Sequence, residues 1–479
     1  MIETSPILLI SCYELGHPSF GLALLSGLLE KRGFTVETLD LAVEQIDKEK
    51  ISRAHFLGIS VPMHTALRIG VAAAKAARKI NPTVPIAFFG LYASLNESFL
   101  LEQFDFVIGG EYEGPFVDLI QSCFKGDNTP IIGVSQKGRM VAPNLKSTPF
   151  ERPSRTTLLK LSDYAHLERD GGRFPVGYVE ASRGCRHLCR HCPIPPVYNG
   201  RFTVVREEIL LEDIRVQVDL GATHITFGDP DFLNGPNHSM RVARQMHQAF
   251  PQITFDLTAK IEHLIKYQGL IPELAELGCL FIISAVESLS DTVLNHLDKG
   301  HTRTDVIRAI EIVHGRGITF RPSLVPFTPW STLDDYIDLF DFAEQYHLIN
   351  SIDPVQFTIR LLVPPGSLLL SEPFMTKFLG PLNQELFTYQ WTHPDPRMDR
   401  LQVEVSERVE KEGQDDTIFY QLKECALAMR EGRLVRPIDR AGLEPAPTKK
   451  PPRLSESWFC CAEPTQNQMA CIDGINEGK

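Results

Sequence analysis

The sequence predicts an α/β protein: a doubly wound parallel sheet, then a partial (β/α)6 barrel, then a helical extension ending in a cysteine-rich tail. Three observations predict this. The 479 residues exceed what one hydrophobic core organises. Short apolar runs alternate with amphipathic stretches in two series, one before residue 125 and one after residue 174. A proline-punctuated segment separates the two series. The division that follows is 1–125 for the doubly wound domain, 126–170 for a hairpin and linker, 171–365 for the barrel, 366–443 for the helical extension and 444–479 for a Pro-rich linker with the tail.

In the first series ILLIS, HFLGISV, PIAFFG and FDFVIGG read as strands, and FGLALLSGLLEKRGF, HTALRIGVAAAKAARKI and PFVDLIQSCF as crossover helices. Open sheets of this kind bind ligands beyond the carboxyl ends of their strands. The candidate site loops are therefore Cys12 to Phe20, Ser60 to Thr65, Gly90 to Ala93 and Gly110 to Glu113. A hairpin follows in IIGVSQKGRMV, with its turn at Lys137 and Gly138, before the connector through ERPSRTT.

The second series has six strand-like runs, VGYVEAS, THITF, ITFDLT, CLFIISA, GITFRPSLV and PVQFTIRLL, with helical patterns between them. Right-handed crossovers curl such βα units into a partial barrel. Two helices are expected around 396–412 and 417–431, and LEPAPTKKPPR then reads as an extended linker. It delivers SESWFCCAEPTQNQMACIDG, whose Trp458, Phe459 and three cysteines are not the composition of a disordered tail.

A net charge of −12 and the absence of a dense Lys/Arg run argue against nucleic acid as a partner. No run of about 18 apolar residues and no basic leader is present, so a cytoplasmic protein without a membrane partner is expected. The ten cysteines do not suit a disulfide scaffold. Cys12, Cys123, Cys279 and Cys425 are isolated in apolar or helical contexts and read as core residues. The other six fall into two tight groups, which points to metal or redox chemistry.

The first group, EASRGCRHLCRHCP, lies directly after the first barrel strand, on the side where barrel active sites are built. Cys185, Cys189 and Cys192 are spaced to hold three irons of one cubane and leave the fourth without a protein ligand. A zinc site completed by His187 or His191 is the competing reading, although that spacing is cramped for a tetrahedral finger. The pattern RGCxxxCxxCP resembles the motif of the radical S-adenosylmethionine (radical SAM) superfamily, with His191 where an aromatic residue is usual.

The resemblance runs from about 174 to 362 and implies a [4Fe-4S] cluster whose open iron is chelated by SAM. It also implies reductive cleavage of SAM to a 5'-deoxyadenosyl radical and a reductant such as a flavodoxin or ferredoxin; it identifies no substrate, for which a small molecule is expected. In ITFGDPDFLN it implies Gly228 and Asp229, with Asp231 nearby, for the SAM amino group. In SAVESLSDTVLNHLDKGHT it implies Glu287 for the ribose hydroxyls, with Ser284 and Lys299 as weaker candidates, and on the fifth strand Arg321 for the SAM carboxylate. Each of these taken singly also reads as a loop cap or surface ion pair. PFTPWST departs from the GxPGET turn of many relatives, which puts the local loop shape in doubt.

The first domain resembles, by arrangement, the cobalamin-binding domain of one radical SAM subgroup. No DxHxxG occurs, so the histidine that would ligate cobalt is missing; His17 and His64 lie on candidate loops and equally read as capping residues. Two readings stay open, a cobalamin site without a protein ligand to cobalt and a domain that has kept the fold and lost the cofactor. The tail FCCAEPTQNQMAC resembles a radical SAM family named for a CUAEP or CCAEP tail, some members of which carry selenocysteine at the position of Cys461. That implies thiol or redox chemistry at Cys461, with Cys460 and Cys471 as partners. Two alternatives accompany the radical enzyme, a cobalamin-dependent radical SAM methyltransferase and a non-catalytic iron–sulfur or soft-metal carrier.

Overall fold

The computed structural model describes residues 6–127, 129–146, 150–413, 415–438, 450–456 and 461–475. The first sheet contains β1 (Ile7–Ser11), β2 (Val36–Asp40), β3 (Phe56–Ser60), β4 (Ile86–Phe89), β5 (Phe106–Ile108) and β6 (Val134–Gln136), in the order β2-β1-β3-β4-β5-β6. The first five are parallel and β6 is antiparallel. Helices cover both faces, which is why β1, β3 and β4 are buried throughout their length and almost wholly apolar. Phe116, on the helix Glu113–Lys125, lies so close to β3 that a Cβ on Gly58 would come within 2.5 Å of its ring. The chain order reverses between β1 and β3, the position at which such sheets bind ligands.

The segment expected to be only a hairpin and linker is structural at both ends. Gln136 and Arg139 exchange backbone hydrogen bonds around Lys137 and Gly138, so the hairpin turn forms, but its first arm is the sixth strand of the sheet. Further on, Arg155 donates to both carboxylate oxygens of Asp213 at 2.7 and 2.8 Å and to the Tyr178 carbonyl at 2.8 Å, all in the interior. The connector is thereby fastened to the barrel.

The second sheet contains β7 (His166–Arg169) and β8 (Gly172–Val179). After the short pair β9 (Ser182–Gly184) and β10 (Phe202–Val204), it continues with β11 (His224–Phe227), β12 (Thr254–Thr258), β13 (Cys279–Glu287) and β14 (Thr319–Leu324). Strands β8 and β11 to β14 are parallel and form the curled partial barrel. The sixth strand expected in PVQFTIRLL does not form. Pro354–Phe357 is a 3-10 turn, the Gln356 side chain accepts from the Leu324 amide at 2.9 Å, and one bridge, Phe327 to Arg360, is all that pairs. Pro354 has no N–H to give a ladder, and the Gln356 amide takes the acceptor's place.

The helices Pro396–Glu412 and Ile418–Glu431 fall within a residue of expectation, the first capped by Asp395 with proline in its first turn. Phe419 of the second packs against Phe340 and Phe357. The hairpin β15 (Leu379–Asn383) and β16 (Thr388–Trp391) was not legible in the sequence. Nor was β17 (Arg453–Leu454), which closes the Pro-rich linker by adding to the edge of β7. Cys12, Cys279 and Cys425 are buried among apolar side chains. Among the described residues no helix is long and apolar enough to cross a membrane.

Candidate active site

The cluster loop leaves the barrel at the end of β8 and turns sharply at Gly184, where φ is +80° and a Cβ would meet the Arg201 carbonyl oxygen at 2.4 Å. Cys185 and Cys189 are buried, and Cys192 lines the main cavity. The Asn234 amide donates to the Cys185 sulfur at 3.5 Å, and the Arg190 amide donates to the Leu297 carbonyl, fixing the loop on two sides. Burial raises the pKa of Cys185 and pushes Cys192 up to about 12, with the neighbouring thiols adding to both. Thiols so placed become thiolates only beside concentrated positive charge, which cluster iron supplies.

His187 and His191 turn away from the thiols, His187 toward Asp231 and His263 and His191 toward Glu287. Neither imidazole therefore completes a zinc site with the cysteines. The residues present fit a cluster held by three cysteines.

The polar residues expected around SAM divide into two sets. Glu287 and Gly228 line the cavity. Glu287 has φ +63° at the end of β13 and pairs with Lys299 at 3.0 Å and His191 at 3.3 Å. Although burial opposes it, the charge of Lys299 and the His191 hydrogen bond hold the Glu287 carboxyl well below its usual range. A Cβ on Gly228 would overlap the Tyr178 hydroxyl.

Asp229, Ser284 and Arg321 are turned elsewhere. The Asp229 carboxylate accepts from the Ala181 amide at 2.9 Å and from the Ser182 hydroxyl, so it shapes the start of the cluster loop. Ser284 donates to the Ala259 carbonyl at 2.7 Å. Arg321 pairs with Asp353 at 2.7 Å, one layer below Ser323 on the same face of β14, and Ser323 is the residue that reaches the cavity. Strand-end position is visible in a sequence, but inward layer and side-chain partner are set by tertiary packing.

The cavity, about 440 Å³, lies between the carboxyl ends of the two sheets. All four loops expected from the first domain reach it, through Glu14 and Leu15, Ser60 to Met63, Gly90 to Tyr92, and Gly110 with Tyr112. Opposite stand Glu180, Ser182, Arg183, Cys192, Glu287 and Ser323. The first wall is an apolar surface of Leu15, Met63, Leu91, Tyr92 and Tyr112, with backbone uncovered at Gly90 and Gly110. Such a surface fits the face of a large flat cofactor.

No imidazole of the first domain lines it. His17 is buried against the Tyr178 ring, and His64 is bonded to Glu463. A cobalamin here would take no histidine from this domain.

The sequence reading missed the acids. Arg183 pairs with Glu111 at 3.3 Å, with Glu113 and, at 3.8 Å, with Glu180; Glu14 and Glu180 thus stand with Glu287 among the carboxyls that line the cavity. Burial raises Glu14 from 4.5 to about 8 and Glu180 to about 7. The folded protein thus holds these protons more tightly than the unfolded chain, so the associated stability is complete below pH 4.5 and is lost as pH rises through about 8. Because Glu14 is only partly buried and open to solvent screening, the expected effect is small. Between pH 6 and 9 the Tm of Glu14→Gln should fall by about 2 °C less than that of the parent, measured by calorimetry.

The tail closes one side. Cys461 lines the cavity, the Thr65 hydroxyl donates to the Ala462 carbonyl at 2.8 Å, and Glu463 meets His64 at 3.0 Å and Arg68 at 3.3 Å. Cys471 is carried away from this wall by the short helix Gln466–Met469, which a Thr465–Gln468 capping box starts. It is buried in the core of the first domain beside Ile46, with its thiol donating to the Gln468 carbonyl at 3.0 Å, and lines a different cavity with Cys12. The expected partnership of Cys461 with Cys471 is therefore not what the structure arranges. Cys460 lies outside the described residues.

Comparison with known proteins agrees with this architecture. Residues 179–343 match the radical SAM superfamily model and residues 6–120 the B12 binding domain model. The chain is therefore an enzyme of the radical SAM type that carries a B12-binding domain, and its cofactors are a [4Fe-4S] cluster and S-adenosylmethionine. It is similar to the uncharacterized methyltransferase PH0819 of Pyrococcus horikoshii, 23% identical over 408 residues, or 82% of this chain and 85% of that one. Among solved structures it shares the fold of the cobalamin-dependent S-adenosylmethionine radical enzyme OxsB, with a TM-score of 0.67 at 15% identity over 90% of this chain and 72% of that one. It shares the fold also of the radical S-adenosylmethionine methyltransferase TsrM from Kitasatospora setae, solved with tryptophan substrate, with a TM-score of 0.58 at 18% identity over 72% and 71% of the two chains.

Proposed function

We propose that the protein is a cobalamin-dependent radical SAM methyltransferase acting on a small organic molecule held between the two sheets. The observation that carries this is the shared cavity, one wall of which ends in Cys192 and Glu287 and the other in the strand-end loops of the B12-binding domain. The Pyrococcus relative named a methyltransferase, aligned over most of both chains, supports methyl transfer ahead of simple hydrogen abstraction. It also favours an enzyme over an iron–sulfur or soft-metal carrier.

When bound, cobalamin supplies an alkyl-transfer centre, and SAM with the reduced cluster supplies the methyl group and the electrons. The chain does the rest. Cys185, Cys189 and Cys192 would hold the cluster, and Glu287, kept anionic by Lys299, would receive the SAM ribose hydroxyls. Leu15, Met63, Leu91 and Tyr92 give the cobalamin an apolar wall, and Glu14 and Glu180 present protonatable carboxyls to the substrate. Cys461 presents its thiol on the wall nearest the tail.

Protein assembled without oxygen, with iron, sulfide and hydroxocobalamin, should retain about four irons and one cobalt per chain. Given a reductant, methyl-labelled SAM and a small-molecule extract, it should release S-adenosylhomocysteine and label a low-mass product. Protein that retains no cobalt after this assembly, or cobalt-loaded protein that yields 5'-deoxyadenosine without a labelled product, would defeat the methyltransferase reading. Cys461→Ser should lower labelled product by about tenfold or more with SAM binding unchanged, as removal of a group acting on substrate does. Unchanged product formation would take Cys461 out of the reaction.

A further inference from the structure

We infer that His187, Asp231 and His263 form a second metal site, for one divalent transition ion, on the flank of the cluster loop. The three come from separate segments: His187 lies between Cys185 and Cys189, Asp231 follows β11, and His263 lies on the helix Ile261–Lys266 after β12. Their ligand atoms all fall within 4.8 Å of one another. His187 Nε2 is 3.7 Å from Asp231 Oδ2; of the two His263 ring nitrogens, either of which could serve, Nε2 is 3.3 Å from His187 Nε2 and Nδ1 is 2.6 Å from Asp231 Oδ2. Ligands about 2.0–2.1 Å from a tetrahedral ion stand roughly 3.3 Å apart, which the 3.3 and 3.7 Å separations from His187 approach, whereas the 2.6 Å contact of His263 with Asp231 would open on binding.

Hydrogen bonding alone leaves this group unexplained. Asp231 is fully buried and His263 nearly so, yet neither Asp231 Oδ2 nor His263 Nδ1 has a hydrogen-bond partner, because their 2.6 Å contact is out of line for one. A buried carboxylate oxygen and ring nitrogen held this close without a hydrogen bond call for a positive centre beside them. The second Asp231 oxygen accepts from the Leu233 amide at 3.1 Å, which aims the first into the group, as outer contacts aim metal ligands. Two imidazoles and one carboxylate select zinc or ferrous iron over calcium or magnesium, which prefer oxygen ligands throughout. The ion would tie the loop carrying Cys185 and Cys189 to the ends of β11 and β12.

The test uses the full-length chain with Cys185, Cys189 and Cys192 replaced together by serine, so that no cluster absorbs. Anaerobic titration with Co(II) should give visible ligand-field bands that saturate at one equivalent. They should lack the thiolate charge-transfer absorption that binding to the tail cysteines would bring. Asp231→Asn with His263→Gln, checked for folding by circular dichroism, should abolish them. Absence of saturable nitrogen–oxygen bands, or the same bands in that variant, would overturn the site. Should the variant fail to fold, the parent holoenzyme decides the matter: after equilibrium dialysis against micromolar zinc it should keep one zinc per chain in addition to its cluster iron, and retention of none would overturn the proposal.

Discussion

Cys192→Ala is expected to abolish S-adenosylmethionine cleavage and to strip most of the iron from the anaerobically assembled protein. The loop offers three thiols for the proposed cluster, and Cys192 is the one of them that opens on the cavity. With one removed, two protein ligands remain for four irons. Loss of an outer contact to a metal ligand already costs about 10–100-fold in affinity or activity, so loss of a ligand itself should exceed that and bring turnover to background. Iron analysis, the visible spectrum and 5'-deoxyadenosine plus S-adenosylhomocysteine output check it. Cys461→Ser is the control, because its iron content should match that of the parent. A Cys192→Ala protein that still cleaved SAM at the parent's rate would refute the cluster assignment.

The second large effect is on stability. Lys299→Met should destabilise the fold by about 3–5 kcal/mol, because it leaves the Glu287 carboxylate buried with its main counter-charge gone. The side chains are 3% and 8% exposed, so water can do little to replace the ammonium group. Glu287→Gln added to Lys299→Met should recover most of the loss, since the pair is then removed as a unit. Urea midpoints of the parent, both single variants and the double variant close the cycle. Additive losses would show that the two residues do not interact. Glu287→Gln alone should weaken SAM binding while leaving the cluster spectrum intact, which isothermal titration and the visible spectrum separate.

What the sequence made legible was whatever repeats or is tightly spaced. Apolar periodicity located both sheets, and the strand-end rule located the four loops from which Leu15, Met63, Leu91 and Tyr112 reach the cavity. The thiol spacing located the cluster loop. Side-chain direction was another matter. Asp229 follows β11 as expected and Arg321 lies within β14, yet Ala181, Ser182 and Asp353 had already engaged them, and no local pattern announces such long-range partners. The failed sixth strand had a visible cause in Pro354, but the Gln356 side chain that substitutes for its ladder did not. Glu14 and Glu180 were passed over because an isolated acid in a loop resembles any solvated charge until burial is known.

The contacts of Ala462 and Glu463 with Thr65 and His64 join residues 397 and 399 positions apart. At about 5–20 residues per second, synthesis places roughly 20 to 80 seconds between the two halves of that clasp. The B12-binding domain and the barrel emerge well before the segment that walls their shared chamber. Maturation therefore has a built-in order, in which bulky or oxygen-sensitive groups can be inserted through an open side before Ala462 and Glu463 follow both domains out of the ribosome and seal it.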